Sequence, residues 1–339
     1  MKPQRVLTLV HKGLEPPEEK PAQGTATAEW RMEFDVVTTL RALGHELRVI
    51  GVHDDLTPIR SSIEDFKPSI TFNLMEAFND VVVFDQNVVS YLELLHMPYT
   101  GCNPRGLTLS RDKALAKKLM AYHRIPVPDF LVVPLGRRAV LPKRLKFPLI
   151  VKSLTYESST GISQASVVAN EDQLGKRVQF IHDTIMTPAI VEQYIDGREL
   201  YVGVMGNDRL QVFPVWEMSF SKMPENSWHI ATERVKWSVK YQKKHGIDTK
   251  EAGLPDDVKA RVQHLSKRVY RALDLTGYAR IDLRMTPDNQ LFVIEANPNP
   301  QLSCDEDFAQ SAKKAGTAYG DLIQRIVNLG LRWEPARWG

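Results

Sequence analysis

The sequence predicts a mixed chain, α/β at its N-terminus and α+β beyond, on three observations. Short apolar runs alternate with helical patterns through the N-terminal third, a polar-faced hairpin is written into residues 277–300, and the 339 residues, 43% of them hydrophobic, can bury a core larger than one small domain needs. The N-terminal elements follow in order. Arg5-Val-Leu-Thr-Leu-Val10 is a strand, residues 33–43 form a helix that Gly44 ends, and Glu46-Leu-Arg-Val-Ile50 is a second strand. Ser69-Ile-Thr-Phe-Asn73 is a third, followed by Leu74-Met-Glu-Ala-Phe78 and an apolar run toward Leu95. This order predicts a small α/β sheet with covering helices. Residues 14–27, with Glu-Pro-Pro-Glu-Glu-Lys-Pro at their centre, offer no periodic apolar face and read as a long loop.

A second region begins near Ser110. Residues 113–123 form a helix, which Ile125-Pro-Val-Pro128 breaks into an extended path. Phe147-Pro-Leu-Ile-Val-Lys152 is a strand ending in a cation. Ser158-Ser-Thr-Gly-Ile162 suits a turn that presents backbone amides to phosphate, although it lacks the P-loop spacing and fits a generic serine-rich turn equally well. In the segment from Ala189 to Val202, two strands meet at a polar turn. By donor and acceptor type, Glu192 can accept from an adenine amino group and Glu199 from ribose hydroxyls; a solvated link between strands is the plainer reading. Residues 256–273 form an amphipathic helix whose packing face carries Val258, Val262, Leu265 and Val269.

The late hairpin carries the most chemistry. Strand alternation sends Arg280 and Asp282 to one face, and Glu295 and Asn297 to one face of the next strand. The turn residues Thr286-Pro-Asp-Asn-Gln290 allow antiparallel pairing to bring the two faces together. Two carboxylates and an amide suit a hard octahedral cation such as Mg2+, with phosphate oxygens or water completing its shell. A surface hairpin with polar residues facing water is the plainer alternative.

Composition excludes several classes. The 44 basic and 41 acidic side chains leave a formal charge of +3, too little to imply a nucleic-acid partner. Apolar runs such as Val81-Val-Val-Phe84 are far shorter than a membrane span, and no signal-like hydrophobic segment follows Met1. Cys102 and Cys304 have no metal-ligand spacing, so a reducing, cytoplasmic setting is expected in preference to a disulfide.

Several segments, in their order and spacing, resemble one family. They are Phe72-Asn-Leu-Met-Glu76, Pro98-Tyr-Thr-Gly101, Asp112-Lys113, Pro148-Leu-Ile-Val-Lys152 with Ser158-Ser-Thr-Gly161, Val191-Glu-Gln-Tyr-Ile-Asp-Gly-Arg-Glu199, Arg280-Ile-Asp282 with Glu295-Ala-Asn297, and Tyr319-Gly-Asp-Leu-Ile323. Together they resemble the ATP-grasp superfamily, and within it the D-alanine–D-alanine ligase family. The resemblance implies an ATP-grasp fold with a preATP-grasp α/β domain over residues 1–108, a small lobe over 109–196 and a large C-terminal lobe with the metal and catalytic site over 197–339. It places ATP between the lobes. Lys113 and Lys152 match the family's nucleotide lysines, Ser158, Ser159, Thr160 and Gly161 the loop that closes over the phosphates, Glu192, Gln193 and Ile195 the adenine region, and Glu199 the ribose carboxylate. Asp282, Glu295 and Asn297 match the ligands of Mg2+, two ions in number, with Mn2+ able to substitute.

The implied chemistry is phosphoryl transfer from ATP to a small-molecule carboxylate, followed by attack of an amine on the acylphosphate. Arg280 matches the position that steadies the acylphosphate and the oxyanion; a salt bridge to Asp282 or Glu295 is its plainer role. Lys236, and especially Lys240 and Tyr241, resemble the omega-loop that orders substrate and phosphate, and Ser158 and Tyr241 are placed to support a bound amino acid; the run from Lys240 to Lys244 also reads as a solvated basic segment.

The chain departs from the family pattern in its substrate regions. The Gly-Gly-x-Ser-x-Glu pattern is not evident after the first strand, which leaves Glu29 or Glu33 as stand-ins for its glutamate. Glu76-Ala-Phe-Asn-Asp replaces a His-Gly loop, and Ser303-Cys-Asp-Glu-Asp-Phe308 replaces the hydroxyl-bearing segment expected near the second substrate's carboxylate. An acid there repels a carboxylate, so Asp305, Glu306 or Asp307 is expected to favour a cationic or amine-bearing nucleophile; N-capping of a helix by Ser303 or Asp305 is the competing reading. Trp216, Trp228 and Trp237 surround this region, where packing is their ordinary role. The tail from Trp333 to Trp338 can dock on the body or on a second copy in a homodimer. The expected activity is that of an ADP-forming carboxylate–amine ligase, with D-alanine–D-alanine ligation or nucleotide-binding regulation without ligation as alternatives.

Overall fold

The computed structural model describes residues 2–19, 25, 28–156, 159–224 and 227–335, and for Trp237 and Val239 the backbone alone. Among these residues three sheets divide the chain. The first is parallel, in the order β2-β1-β3, from β1 (Arg5–His11), β2 (Glu46–Val52) and β3 (Ile70–Asn73). Parallel strands are covered on both faces, and Val6, Leu7, Leu9 and Val10 are all fully buried. The crossovers are α1 (Arg31–Ala42) and α2 (Thr57–Phe66), followed after β3 by α3 (Asp85–Leu94) and α4 (Pro104–Arg111). The first strands and α1 follow the sequence reading to within two residues. The reading assigned no helix to α2 or α4, and α3 takes up its unassigned apolar run. At α4 the start signals are present in retrospect: Asn103 caps the Gly106 amide and Pro104 begins the first turn.

In α5 (Lys113–Tyr122), Asp112 caps the amides of Ala114 and Leu115. The second sheet is antiparallel, ordered β4-β7-β5-β6 from β4 (Phe130–Val133), β5 (Leu149–Ser153), β6 (Val167–Val168) and β7 (Ala189–Gln193). Helix α6 (Glu171–Phe180) covers it, burying Leu174 and Val178 against Val151 and Val191.

The third sheet contains β8 (Arg198–Met205), β9 (Gln211–Val212), β10 (Trp216–Phe220), β11 (Ile247–Glu251), β12 (Tyr278–Met285) and β13 (Leu291–Pro298), with path β11-β10-β8-β12-β13 and β9 paired to β8. Two short helices, α7 (Glu233–Trp237) and α8 (Val239–His245), precede β11. Helix α9 (Asp256–Ala272) buries Val258, Val262, Leu265 and Val269 on this sheet, the face its periodicity predicts; each such burial contributes roughly 1.5–3 kcal/mol. Helices α10 (Asp307–Lys314) and α11 (Tyr319–Leu331) then return to the N-terminal unit, where Phe308, Ile323 and Ile326 share one core with Val6, Val36 and Phe72.

The polar turn after β7 does not close a hairpin. β7 and β8 belong to different sheets, so residues 194–197 carry the chain from one to the other. Gly197 makes that crossing with φ +138°, where a Cβ would lie 2.1 Å from the Met285 carbonyl oxygen. Cys102 is buried, Cys304 exposed, and both are free thiols. No helix among the described residues is long and apolar enough to cross a membrane. Trp333 packs against the body, its indole nitrogen donating to Glu93 at 3.4 Å, while residues 336–339 lie outside the described set.

Candidate functional site

The hairpin pairs as its alternation predicts: Arg280 faces Asn297 and Asp282 faces Glu295. The register then slips between Asp282 and Leu283, leaving Ile294 as the extra residue of a bulge. Its unpaired carbonyl accepts a 2.6 Å hydrogen bond from Lys117. Arg280 grips Asp282 with two parallel bonds of 2.8 and 2.9 Å and lies over the Tyr201 ring, 4.8 Å from its centroid. Burial and the facing Glu295 push Asp282 up to about 6, although Arg280 pulls the other way. Burial also opposes ionisation of Glu295, but Lys113, Lys236, Lys152 and Arg280 outweigh it and hold that carboxylate at about 2. The buried Asn297 side-chain nitrogen has no hydrogen-bond partner.

Behind this floor, Glu192 is held between two lysines, with Lys152 at 2.8 Å from one oxygen and Lys117 at 3.2 Å from the other; all three side chains are nearly or fully buried. Burial works against both cations. Lys117 ends lowered, while Glu192, Glu295 and Glu199 together bring Lys152 above its ordinary value. At the crossing between sheets, Arg284 donates to Glu199 at 2.6 Å, to the Gly197 carbonyl at 3.1 Å and to the His229 carbonyl at 2.5 Å. Tyr201 donates to the other Glu199 oxygen at 2.7 Å. Glu199 is therefore oriented from both sides.

The roof is a clasp between two loops. Ser159 donates its hydroxyl to the Ala231 carbonyl at 2.6 Å, the Gly161 amide reaches Glu233 at 3.4 Å, and Gln164 exchanges bonds of 2.9 and 2.8 Å with the Trp228 backbone. Arg177 supports it by donating to the Gly161 carbonyl and to Ser166.

Between floor and roof lies a cleft of about 840 Å³. Lys113, Lys152, Ser159, Thr160, Glu192, Gln193, Ile195, Glu199, Asp282 and Glu295, all singled out in the sequence, line it together. Lys113 also donates to the Tyr156 carbonyl at 2.6 Å. Arg280 adjoins the cleft through Asp282, which it holds, and also borders a tight recess, with no room for a water molecule, beside Tyr201, Trp216 and Asp307. Gly161 and Asn297 adjoin the cleft lining through Thr160 and Glu295. Lys240 and Tyr241 stand apart from it. Lys240 is exposed on α8, and Tyr241 packs with Trp216, Phe220 and Ile247, its ring 4.3 Å from that of His245; from the same segment Lys236 lines the cleft instead. Ser158 lies outside the described residues.

Sequence reasoning missed Lys117, Arg284 and Tyr201. Lys117 is four residues after Lys113 on one helix, and Arg284 continues the alternation of Arg280 and Asp282, so both signals were present.

Around the departures from the family pattern, neither Ser303 nor Asp305 caps a helix. Glu306 occupies the N-cap of α10 and makes no side-chain cap bond. Asp305 pairs with Arg31 of α1, and Ser303 is buried with its hydroxyl unpartnered. Burial, with Asp307 and Asp305 nearby, raises Glu306 despite Arg280 and Arg31. Glu33, 2% exposed and with one oxygen unpartnered, is pushed up to about 7 by burial, to which Glu76 adds.

Three sheets, with a charged cleft between the second and third, define an ATP-grasp-like fold. The chain belongs to the D-alanine–D-alanine ligase family, whose model described as "D-ala D-ala ligase C-terminus" matches residues 119–328. It is 31% identical over 303 residues to a D-alanine–D-alanine ligase of Desulfotalea psychrophila, covering 88% of this chain and 90% of that protein. It is 30% identical over 310 residues to the uncharacterized protein y4sG of Sinorhizobium fredii, covering 89% and 88%. Among solved structures, the D-alanine–D-alanine ligase of Bacillus anthracis complexed with ATP superposes with a TM-score of 0.75 at 20% identity, over 97% of this chain and 98% of that one.

Proposed function

We propose that the protein is an ADP-forming ligase that joins a small carboxylate, amino-acid-like in character, to an amine through an acylphosphate. The observation that carries this reading is the Asp282–Glu295 pair on the cleft floor, ringed by Lys113, Lys152, Lys236 and Arg280. In it ATP lies along the cleft, its adenine against residues 192–195, its ribose hydroxyls on the pre-oriented Glu199, and its phosphates toward Lys113, Lys152 and the Ser159–Gly161 turn. The opposed carboxylates fit Mg2+, because Glu295 adds to the burial that makes Asp282 costly to ionise and a dication relieves that repulsion. Asp282, Glu295 and Asn297 would hold it, and it supplies charge neutralisation on the phosphate oxygens.

In the first step a substrate carboxylate oxygen forms a bond to the γ-phosphorus as the bond to the ADP oxygen breaks. The amine nitrogen then attacks the acyl carbon, the carbonyl oxygen becomes an oxyanion, phosphate leaves with its bonding pair, and the nitrogen releases a proton. Arg280, between the cleft and the recess, supplies fixed positive charge to both the acylphosphate and the oxyanion.

The reading extends to the nucleophile. Asp307 and Glu306 lie near Arg280, an acidic setting that favours a cationic or amine-bearing acceptor over one presenting a carboxylate. The reading also includes a cytoplasmic setting. The relative named as a D-alanine–D-alanine ligase in Desulfotalea psychrophila supports a second reading, in which the acceptor is D-alanine.

The deciding experiment measures ADP release with Mg2+ and ATP across pooled amino acids, small acids and amines, with mass spectrometry of adducts. Stoichiometric ADP and an adduct on an amine without a carboxylate support the full reading. D-alanyl-D-alanine as the favoured product overturns the acceptor assignment, and ATP binding with no substrate-stimulated turnover across the panel overturns ligation.

A further inference from the structure

The parallel sheet brings together three side chains that the ligase chemistry does not use. β1 ends in His11, β2 ends one residue before His53, and the loop after β3 returns Asp80 to the same edge. The backbone fixes all three segments: the Lys12 amide donates to the Val52 carbonyl at 3.0 Å, and the Asn79 amide donates to the His53 carbonyl at 2.7 Å. One ligating atom from each of His11, His53 and Asp80 lies within 4.8 Å of the other two. His11 Nε2 is 3.3 Å from one Asp80 oxygen and His53 Nε2 is 3.2 Å from the other. Ligand atoms at Zn–N and Zn–O distances of about 2.0–2.1 Å in a tetrahedral shell stand roughly 3.3–3.4 Å apart, so the protein already holds each histidine–aspartate pair near that spacing.

The second nitrogen of each imidazole also has an oxygen partner. His11 Nδ1 is 3.1 Å from the Lys12 carbonyl oxygen, and His53 Nδ1 is 3.4 Å from an Asp54 carboxylate oxygen. Nδ1 of each ring thus has an oxygen partner of its own, and Nε2 of each is the atom turned toward Asp80. Metal-binding histidines are oriented in this way, by a carbonyl or carboxylate on the second nitrogen.

We propose that His11, His53 and Asp80 bind a divalent transition ion of the Zn2+ type, on a different sheet from the Asp282–Glu295 pair. Two imidazoles and one carboxylate favour a borderline ion over Mg2+, which takes oxygen ligands. Three protein ligands leave a coordination position for water at an edge where Asp80 is 76% exposed. The loop 74–81 is bound at its start by the Leu74 amide, which donates to the Leu9 carbonyl at 2.9 Å. An ion on Asp80 would add to the Asn79–His53 bond at its other end, and Glu76, whose charge acts on Glu33, lies between them.

The test uses untagged full-length protein, stripped with chelator and held in saturating Mg2+, titrated with Co2+ and Zn2+ and followed by the visible absorption of low-coordinate Co2+ and by calorimetry. The expected result is one equivalent of Co2+, displaced by Zn2+, with affinity lowered about tenfold or more in His53→Gln and in Asp80→Asn. Asp80→Asn alters an exposed side chain, so it carries the test should His53→Gln fail to fold; circular dichroism of the metal-free proteins decides that. Wild-type binding no tighter than that of Asp80→Asn overturns the proposal, as does a Co2+ signal lost in Asp282→Asn but retained in His53→Gln.

Discussion

The ammonium of Lys117 donates to the Ile294 carbonyl across 2.6 Å, which joins α5 to the bulge of the β12–β13 hairpin. The bulge frees that carbonyl and the lysine satisfies it, while the same ammonium lies 3.2 Å from Glu192. One buried cation thus fixes the floor and the back wall of the cleft together.

Removing the acid of that cluster should cost more than removing this base. Glu192→Gln leaves Lys117 and Lys152 buried beside each other without their counter-charge, for an expected loss of about 3–5 kcal/mol. Lys117→Met leaves Glu192 paired with Lys152 and should cost only about 1–3 kcal/mol. Urea unfolding of the two variants gives the order directly, and an equal or reversed order contradicts this account.

Arg280→Lys keeps the charge but not the two-pronged grip on Asp282. Ligation should slow by about 10²–10³-fold, with nucleotide affinity changed far less, because Arg280 stands at the edge of the cleft. Single-turnover ADP release beside equilibrium nucleotide binding separates the two effects. A fall confined to nucleotide affinity removes Arg280 from the chemistry.

Glu33 predicts a pH dependence with a definite sign. Its folded value of about 7 lies above the ordinary 4.5, so between those limits the folded protein holds a proton that the unfolded chain has lost. Stability from this group is complete below about pH 4.5 and is lost as pH rises through 7, by about 3 kcal/mol in all. Glu33→Gln should therefore be more stable than wild type at pH 8 and close to it at pH 5. Melting curves at both values test this; a gap independent of pH would falsify it.

Gly197→Ala should displace the crossing between the sheets. The new Cβ collides with the Met285 carbonyl at an unfavourable φ, for a cost of about 2 kcal/mol or more. The Gly197 carbonyl also leaves Arg284, so Glu199 loses its fixed orientation. Thermal melting and ATP titration should both report the change, and unaltered nucleotide affinity would separate Arg284 from the crossing.

Much of the cleft was legible in the sequence because it is written in two simple periods. Alternation by two sets Arg280 and Asp282 against Asn297 and Glu295, and the helical face of Val258, Val262, Leu265 and Val269 follows the other. What escaped depends on pairing between distant segments. Nothing local tells that the turn at 194–197 leaves one sheet for another, or that Ile294 is the extra residue of a bulge. Lys240 and Tyr241 were expected from the resemblance to an omega-loop, with a solvated basic run as the alternative; Lys240 is exposed and the Tyr241 ring packs against an apolar cluster, a tertiary contact that no local pattern announces. His11, His53 and Asp80 lie in three separate segments, and only the parallel sheet makes them neighbours.

The clasp of Ser159 on Ala231, Gly161 on Glu233 and Gln164 on Trp228 joins two segments that are distant in sequence over one side of the cleft. These stitches tie residues 159–164 to residues 228–233, so widening the cleft on that side requires breaking them. Several of the stitches end on main-chain atoms of residues 228–231, which every amino acid carries. The latch therefore tolerates side-chain substitution at residues 228–231.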